Sequence, residues 1–299
     1  MRHRISLSLA DLSPLNPPPE DHLLVVLKSY FDGSNQADSS EYDRISIATV
    51  CGTSKQWKRF DTEWRKVLYK HHADYLHTTD AVSLQKNFSK KKGWSDTRVD
   101  AFIGDCVSVI EKTITIPDGV PGKRPRDGFF PVTLTIPFKD WLRAKETVPE
   151  LPDTIEELCA TESLAFALKW GKYIEAKKYE LHFDRGEPFY GHILDRWRHP
   201  KAKQDITVMK DVISVSEDNS MYVPALQMAD LFAWCINRND TVSREWHRRL
   251  HSLRYWSALL DYTHLIKPQR WVLDKVASWG LPHRRSSVKN LSKPKKDTK

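Results

Sequence analysis

The run LLVVLKSYFD, Leu23 to Asp32, restricts the possible folds of this chain more than any other stretch. It is short, apolar and rich in branched residues, as a strand covered on both faces must be. Such a strand implies a sheet with helices on either side. It ends on a carboxylate, Asp32, where packing alone does not call for a charge, and Gly33, Ser34 and Asn35 follow as a turn signal. RISIATVCGT, Arg44 to Thr53, reads as the second strand. The polar connection between them suits an antiparallel hairpin and is too short for a crossover helix.

Beyond Ser54, which reads as a helix cap, Trp57, Phe60, Trp64, Val67 and Leu68 recur at helical spacing and should pack on the sheet. A second amphipathic helix, RVDAFIGDCVSVIEKTI, runs to about Ile114. The Pro- and Gly-rich loop PDGVPGKRPRDG then precedes a third strand, FFPVTLTIPF. Pro152, Asp153 and Thr154 open a long helix. YELHFD, Tyr179 to Asp184, alternates cleanly, with Leu181 and Phe183 on one face and Glu180, His182 and Asp184 on the other. GHILDRWRH is a short helix, ITVMKDVISVS a fifth strand, and PALQMADLFAWCI a buried helix with Pro224 in its first turn. The remainder reads as helical. An α/β architecture follows: a mixed five-stranded sheet flanked by helices. The expected divisions are an extended leader over 1–20, a domain over 21–240 with a helical insertion at about 54–128 between strands 2 and 3, a helical extension over 241–282, and a disordered basic tail over 283–299.

The longest apolar runs, Leu23 to Leu27 and Ala225 to Ile236, fall short of the roughly 20 residues of a membrane span. The N-terminal stretch lacks the apolar core of a secretory signal. Cys51, Cys106, Cys159 and Cys235 are too widely spaced for metal knuckles and sit among apolar residues, so free thiols in a reducing cytoplasm are expected. The net charge of +8 invites a nucleic-acid reading, but the tail after Pro282 holds seven Lys or Arg against one acid, so the body is only mildly basic. Such a tail suits non-specific contact with phosphates or mere solubility.

The carboxylates carry more information. Asp32 and Asp184 both end strands, and in sheets with helical crossovers ligands gather beyond the carboxyl ends of strands. Asp230 lies within an otherwise apolar helix whose other polar side chain, Gln227, is three residues away on the same face. A buried carboxylate must be neutralised, hydrogen-bonded or bound to a cation. Convergence of Asp32, Asp184 and Asp230 would favour Mg²⁺ or Mn²⁺, and a pair of such ions suits hydrolysis of a phosphodiester. A fourth ligand is expected from Glu162, on a helix face with Leu158 and Ala165; Glu157 and Glu187 are its rivals. Gln227 should orient a neighbour. Lys90, Lys91, Lys92 and Trp94 offer cations beside an aromatic, a combination suited to a nucleic-acid strand, although a solvated loop accounts for them equally simply.

In order, Tyr30-Phe31-Asp32-Gly33-Ser34, the helix bearing Trp57, Phe60 and Trp64, the element His77 to Asp80, the Asp-ended strand HFDRG, and Leu226-Gln-Met-Ala-Asp230-Leu resemble the motifs of the family called domain of unknown function 3800. The resemblance spans about Leu23 to Asn237. It implies a ribonuclease H-like core and a metal-dependent nuclease acting on RNA or DNA, with Asp32, Glu162, Asp184 and Asp230 as metal ligands and Ser34, His77, Asp80, Glu187 and Gln227 around them. The family's acidic residue after the first Asp is Gly33 here; the resulting Asp-Gly-Ser is similar to the first motif of ribonuclease H itself. The alternative is a non-catalytic nucleic-acid-binding or scaffold protein of a mobile-element or anti-phage system that keeps the fold without turnover.

Overall fold

A computed structural model describes residues 26–34, 43–113, 129–149, 151–174, 176–198, 210–238, 244–253 and 256–266. The leader, the Pro- and Gly-rich loop and the basic tail lie outside the described residues.

The apolar run around Val26 forms β1 (Val26–Ser34), and Arg44–Thr53 forms β2. They pair antiparallel, as the short connection requires, with Asp32 opposite Ala48. β3 (Phe130–Pro137) continues the meander on the far side of β2. β4 (Lys178–Asp184) pairs parallel with β1, and β5 (Val212–Asp218) parallel with β4. The sheet has a sixth strand, β6 (Trp256–Leu259), parallel to β3. The order is β5-β4-β1-β2-β3-β6, so five strands become six and the expected helical extension instead closes one sheet edge.

Three helices lie between β2 and β3: α1 (Ser54–His71), the short α2 (Thr78–Val82) and α3 (Asp96–Thr113). Thr53, not Ser54, caps α1. Its hydroxyl accepts the Gln56 N–H while the Gln56 side chain accepts the Thr53 N–H, a reciprocal pair that satisfies two otherwise orphaned donors. α4 (Phe138–Thr147) follows β3 directly, where the sequence pattern gave no helix start. α5 (Ile155–Tyr173) and α6 (Pro188–Arg198) flank β4, and α7 (Pro224–Asn237), α8 (Glu245–Ser252) and α9 (Tyr262–Leu265) complete the described chain.

Two apolar layers sandwich the sheet. On one face, Tyr30, Ala48 and Val50 pack with Trp57, Phe60 and Trp64 of α1, Phe102 and Ile103 of α3, and Leu226, Met228, Leu231 and Phe232 of α7. On the other, Leu27, Phe31, Ile45 and Ile47 meet Leu158, Cys159, Leu164 and Phe166 of α5. Each fully buried Leu, Met or Phe of α7 contributes roughly 1.5–3 kcal/mol. Together they exceed the several kcal/mol that a buried carboxylate costs, so packing alone carries Asp230 into the interior. Among the described residues, no helix is long and apolar enough to cross a membrane. All four cysteines are buried free thiols.

Candidate active site

Strand register puts Asp32 beside Asp184. Phe31 of β1 lies opposite Phe183 of β4, and their rings stack 4.5 Å apart. Asp32 and Asp184 are the next residues on these parallel strands, whose spacing is about 4.8 Å. Alternation sets their direction. Leu27, Phe31, Leu181 and Phe183 belong to the α5 layer, whereas Tyr30 belongs to the α7 layer. Asp32 and Asp184 therefore share the face of Tyr30 and look toward α7.

Asp230 reaches the same face from α7. From Pro224 to Cys235 it is the one residue not fully buried, so the helix opens at its single charge. Its Oδ2 accepts two hydrogen bonds from Thr78, from the backbone N–H at 2.6 Å and from the hydroxyl at 2.8 Å. The first residue of α2 thereby anchors the carboxylate. Asp184 is oriented by the N–H of Arg185 at 2.8 Å and that of Ser220 at 2.9 Å, both on Oδ1.

The electrostatics tie the group together. Burial, then the charges of Glu187, Asp230 and Asp184, hold the Asp32 carboxyl well above the usual range, and a hydrogen bond with Glu187 acts in the same direction. Asp230 is also raised, first by burial; His77 and the Thr78 bonds oppose the shift, and Asp184 adds to it. Glu187 owes its approach to Gly186, which sits in the left-handed region at φ 86°. That turn, closed by Glu187 N–H on the Asp184 carbonyl at 3.3 Å, folds the chain back from the end of β4.

Gln227 is buried and uses both its amide oxygen and its amide nitrogen for positioning. Its Oε1 accepts the Trp64 indole N–H at 2.7 Å and the Leu76 N–H at 3.0 Å, and its Nε2 donates to the Ser220 carbonyl at 2.8 Å. One side chain thus links α7 to α1, to the segment leading into α2, and to the turn that holds Asp184. Asp80 is buried with its Oδ2 3.1 Å from both His77 Nδ1 and Lys86 Nζ, so it steadies His77. Ser34 ends β1 two residues beyond Asp32, on the same face.

Other expected residues lie elsewhere. Glu162 is buried on α5, whose layer covers the opposite sheet face, and it is not among the carboxylates that bear most on Asp32. Glu187 is. Glu157 accompanies the first turns of α5, where its N–H is bonded to the Thr154 hydroxyl. Lys90, Lys91 and Lys92 are exposed in a 3₁₀ turn. Trp94 is only 5% exposed, with the Arg98 guanidinium over its ring at 4.1 Å, so it is core and not a surface for a base. A cavity of about 190 Å³ between His72, Asn87, Lys92, Trp94 and Arg98 has none of the four carboxylates in its wall.

A second polar group lies on the same sheet face. His182 Nδ1 is 2.7 Å from Asp218 Oδ2 and 3.0 Å from the Ser216 hydroxyl, and Glu180, 3.5 Å from its Nε2, is paired with Lys28 at 2.8 Å. Tyr30 stacks on the imidazole at 4.6 Å. Burial opposes the charged imidazolium, but the bonds to Asp218 and Glu180 outweigh it and raise the pKa.

Thr78, Ser220 and Gly186 escaped the sequence reading. Only Gly186 left a signal, as a glycine two residues beyond an Asp-ended strand. The side chains are turned toward protein donors, and among the described residues no three His, Cys, Asp or Glu side chains form a ready-made chelate. What the cluster offers is carboxylate oxygen at the carboxyl ends of two adjacent strands, a hard donor set suited to Mg²⁺ or Mn²⁺ more than to softer metals. No family model, curated protein or solved structure matches the chain.

Proposed function

We propose that this chain is a metal-dependent nuclease with a ribonuclease H-like core, hydrolysing phosphodiester bonds of RNA or DNA. Three sequential antiparallel strands followed by two parallel strands reached through helices support the fold reading. The observation that carries the functional reading is the meeting of Asp32, Asp184 and Asp230 with Glu187, where every main influence on Asp32 disfavours its ionisation. Repulsion of that kind is relieved by a divalent cation.

In this reading Asp32, Asp184 and Asp230 hold Mg²⁺ or Mn²⁺, and Glu187 takes the fourth place first assigned to Glu162. When bound, such ions stabilise the charge that develops on a phosphodiester undergoing hydrolysis. Thr78 steadies Asp230 through one oxygen, and the Ser220 and Arg185 amides steady Asp184 through one oxygen, so the second oxygen of each would be the one to hold a cation. Binding a cation would require the Asp32 carboxyl in its ionised form, which its surroundings disfavour, so metal uptake weakens as pH falls.

The test is cleavage of labelled single-stranded RNA, single-stranded DNA and RNA–DNA hybrid with Mn²⁺ present. Asp32→Asn and Asp230→Asn are expected to abolish cutting while the variants still fold and unfold in a single cooperative transition. The second reading is a non-catalytic nucleic-acid-binding protein that keeps the fold without turnover. Binding of these substrates with no metal-dependent cleavage of any of them would establish it.

A further inference from the structure

The turn from Asn219 to Val223 is fixed on three sides. The Ser220 N–H reaches Asp184 at 2.9 Å, the Ser220 carbonyl accepts from Gln227 of α7 at 2.8 Å, and the Tyr222 carbonyl accepts from Arg65 of α1 at 3.1 Å. Within it, the Tyr222 N–H bonds the Asn219 carbonyl at 2.9 Å. On this rigid support Tyr222 is 70% exposed and Met221 41% exposed. Large apolar side chains held out in water by so many backbone bonds are not products of a loose loop.

Their place matters. Tyr222 is two residues from Ser220, so its backbone lies within about 7 Å of the residue bonded to Asp184. Arg65 is bonded at its own carbonyl, and Arg185, exposed, follows Asp184 in the chain. An exposed aromatic residue whose carbonyl is bonded to a guanidinium, on a turn that holds a carboxylate of the cluster, has the chemistry of a single-strand binding surface: guanidinium for the backbone and a π-face for the base.

We propose that Tyr222, with Met221 beside it, is a stacking platform for an unpaired nucleobase of a strand seated at the carboxylates. The choice of ligand rests on the nuclease reading; the platform itself rests on the turn. Binding is measured on the full chain in EDTA, so that no cleavage intrudes, using single-stranded RNA and DNA oligonucleotides carrying 2-aminopurine and a duplex of the same sequence. Tyr222→Ala is expected to weaken binding of at least one single strand by about 5- to 150-fold, the range set by loss of one stacked base. Tyr222→Phe should bind within about twofold of wild type, and the salt slope should stay constant because no phosphate contact is removed. Unchanged affinity of Tyr222→Ala, an equal loss on the duplex, failure of the wild-type chain to bind any of these oligonucleotides, or a self-association that Tyr222→Ala abolishes would each overturn the platform. Tyr222-dependent binding without cleavage under Mn²⁺ would refute only the nuclease reading. Melting temperature is the folding control, and the exposure of Tyr222 leads us to expect no change in it.

Discussion

Replacing Asp32 by Asn should make the metal-free protein more stable and the metal-loaded one less so. In the folded chain Asp32 keeps its proton to higher pH because of burial and the carboxylates of Glu187, Asp230 and Asp184. An unfolded Asp releases that proton near pH 4. Between those two values the native state holds a proton that the unfolded state has lost, so stability falls as pH rises, by about 1.4 kcal/mol per pH unit. Above pH 5, each pH unit inside that interval costs about 1.4 kcal/mol, equivalent to roughly 3–6 °C in melting temperature at about 2–4 °C per kcal/mol. That window lies above the titration of ordinary carboxylates, so salt-bridged acids such as Glu180, held down to about 2, do not obscure it. Asn has no proton to release, and its amide fits the same space. Thermal melts of wild type and Asp32→Asn in EDTA across this window should therefore diverge, with the variant the more stable at pH 6.5. Mn²⁺ at about 100 times its dissociation constant adds about 2.7 kcal/mol to the wild type, or roughly 5–10 °C, and should add little to the variant. Parallel pH curves for the two proteins, or equal Mn²⁺ stabilisation of both, would refute the reasoning.

Gln227→Ala should cost about 3–5 kcal/mol in urea unfolding, because it strands the indole N–H of Trp64, the N–H of Leu76 and the carbonyl of Ser220 in or beside the core. His182 bears on pH dependence in a different window. Its folded pKa is raised, so the stability it contributes is fully present below about pH 6.5 and is lost as pH rises through the folded value. His182→Gln should flatten the fall in melting temperature above about pH 6.5 while lowering stability at pH 6; an unchanged slope would show that the Asp218 and Glu180 contacts do not hold the imidazolium.

The strands that hold the site were legible because each is a local pattern. β1 is a continuous apolar run, β4 alternates, and α7 is apolar around one charge, so Asp32, Asp184 and Asp230 stood out without knowledge of their partners. What failed was set by distant contacts. β6 is four residues in a stretch spaced like a helix, and only β3 beside it makes it a strand. α4 begins where the β3 pattern ends, with Phe138 immediately after Pro137, and no polar cap marks its start. Glu162 read correctly as a buried helical glutamate, but which sheet face its helix would cover depends on how the chain crosses over. Glu187 read as one loop acid among several, since its approach to Asp32 depends on the backbone turn at Gly186. The exposure of Tyr222 is likewise invisible until the turn around it is built.

The sheet arrangement also sets a clock. β1 sits at the middle of the sheet, yet its parallel partner β4 begins 152 residues after Val26, and Asp230 follows Asp32 by 198. At the ribosome's pace of about 5–20 residues per second, the first aspartate waits roughly 10–40 s for the last to be made. Through that interval the face of β1 and β2 that α7 will cover, with Tyr30, Ala48 and Val50, has no helix to pack against from that part of the chain. A nascent polypeptide at this stage presents a sticky surface to chaperones and cannot assemble the four carboxylates. Whatever the cluster does to its target, it cannot do to the message being translated until most of the chain has been made.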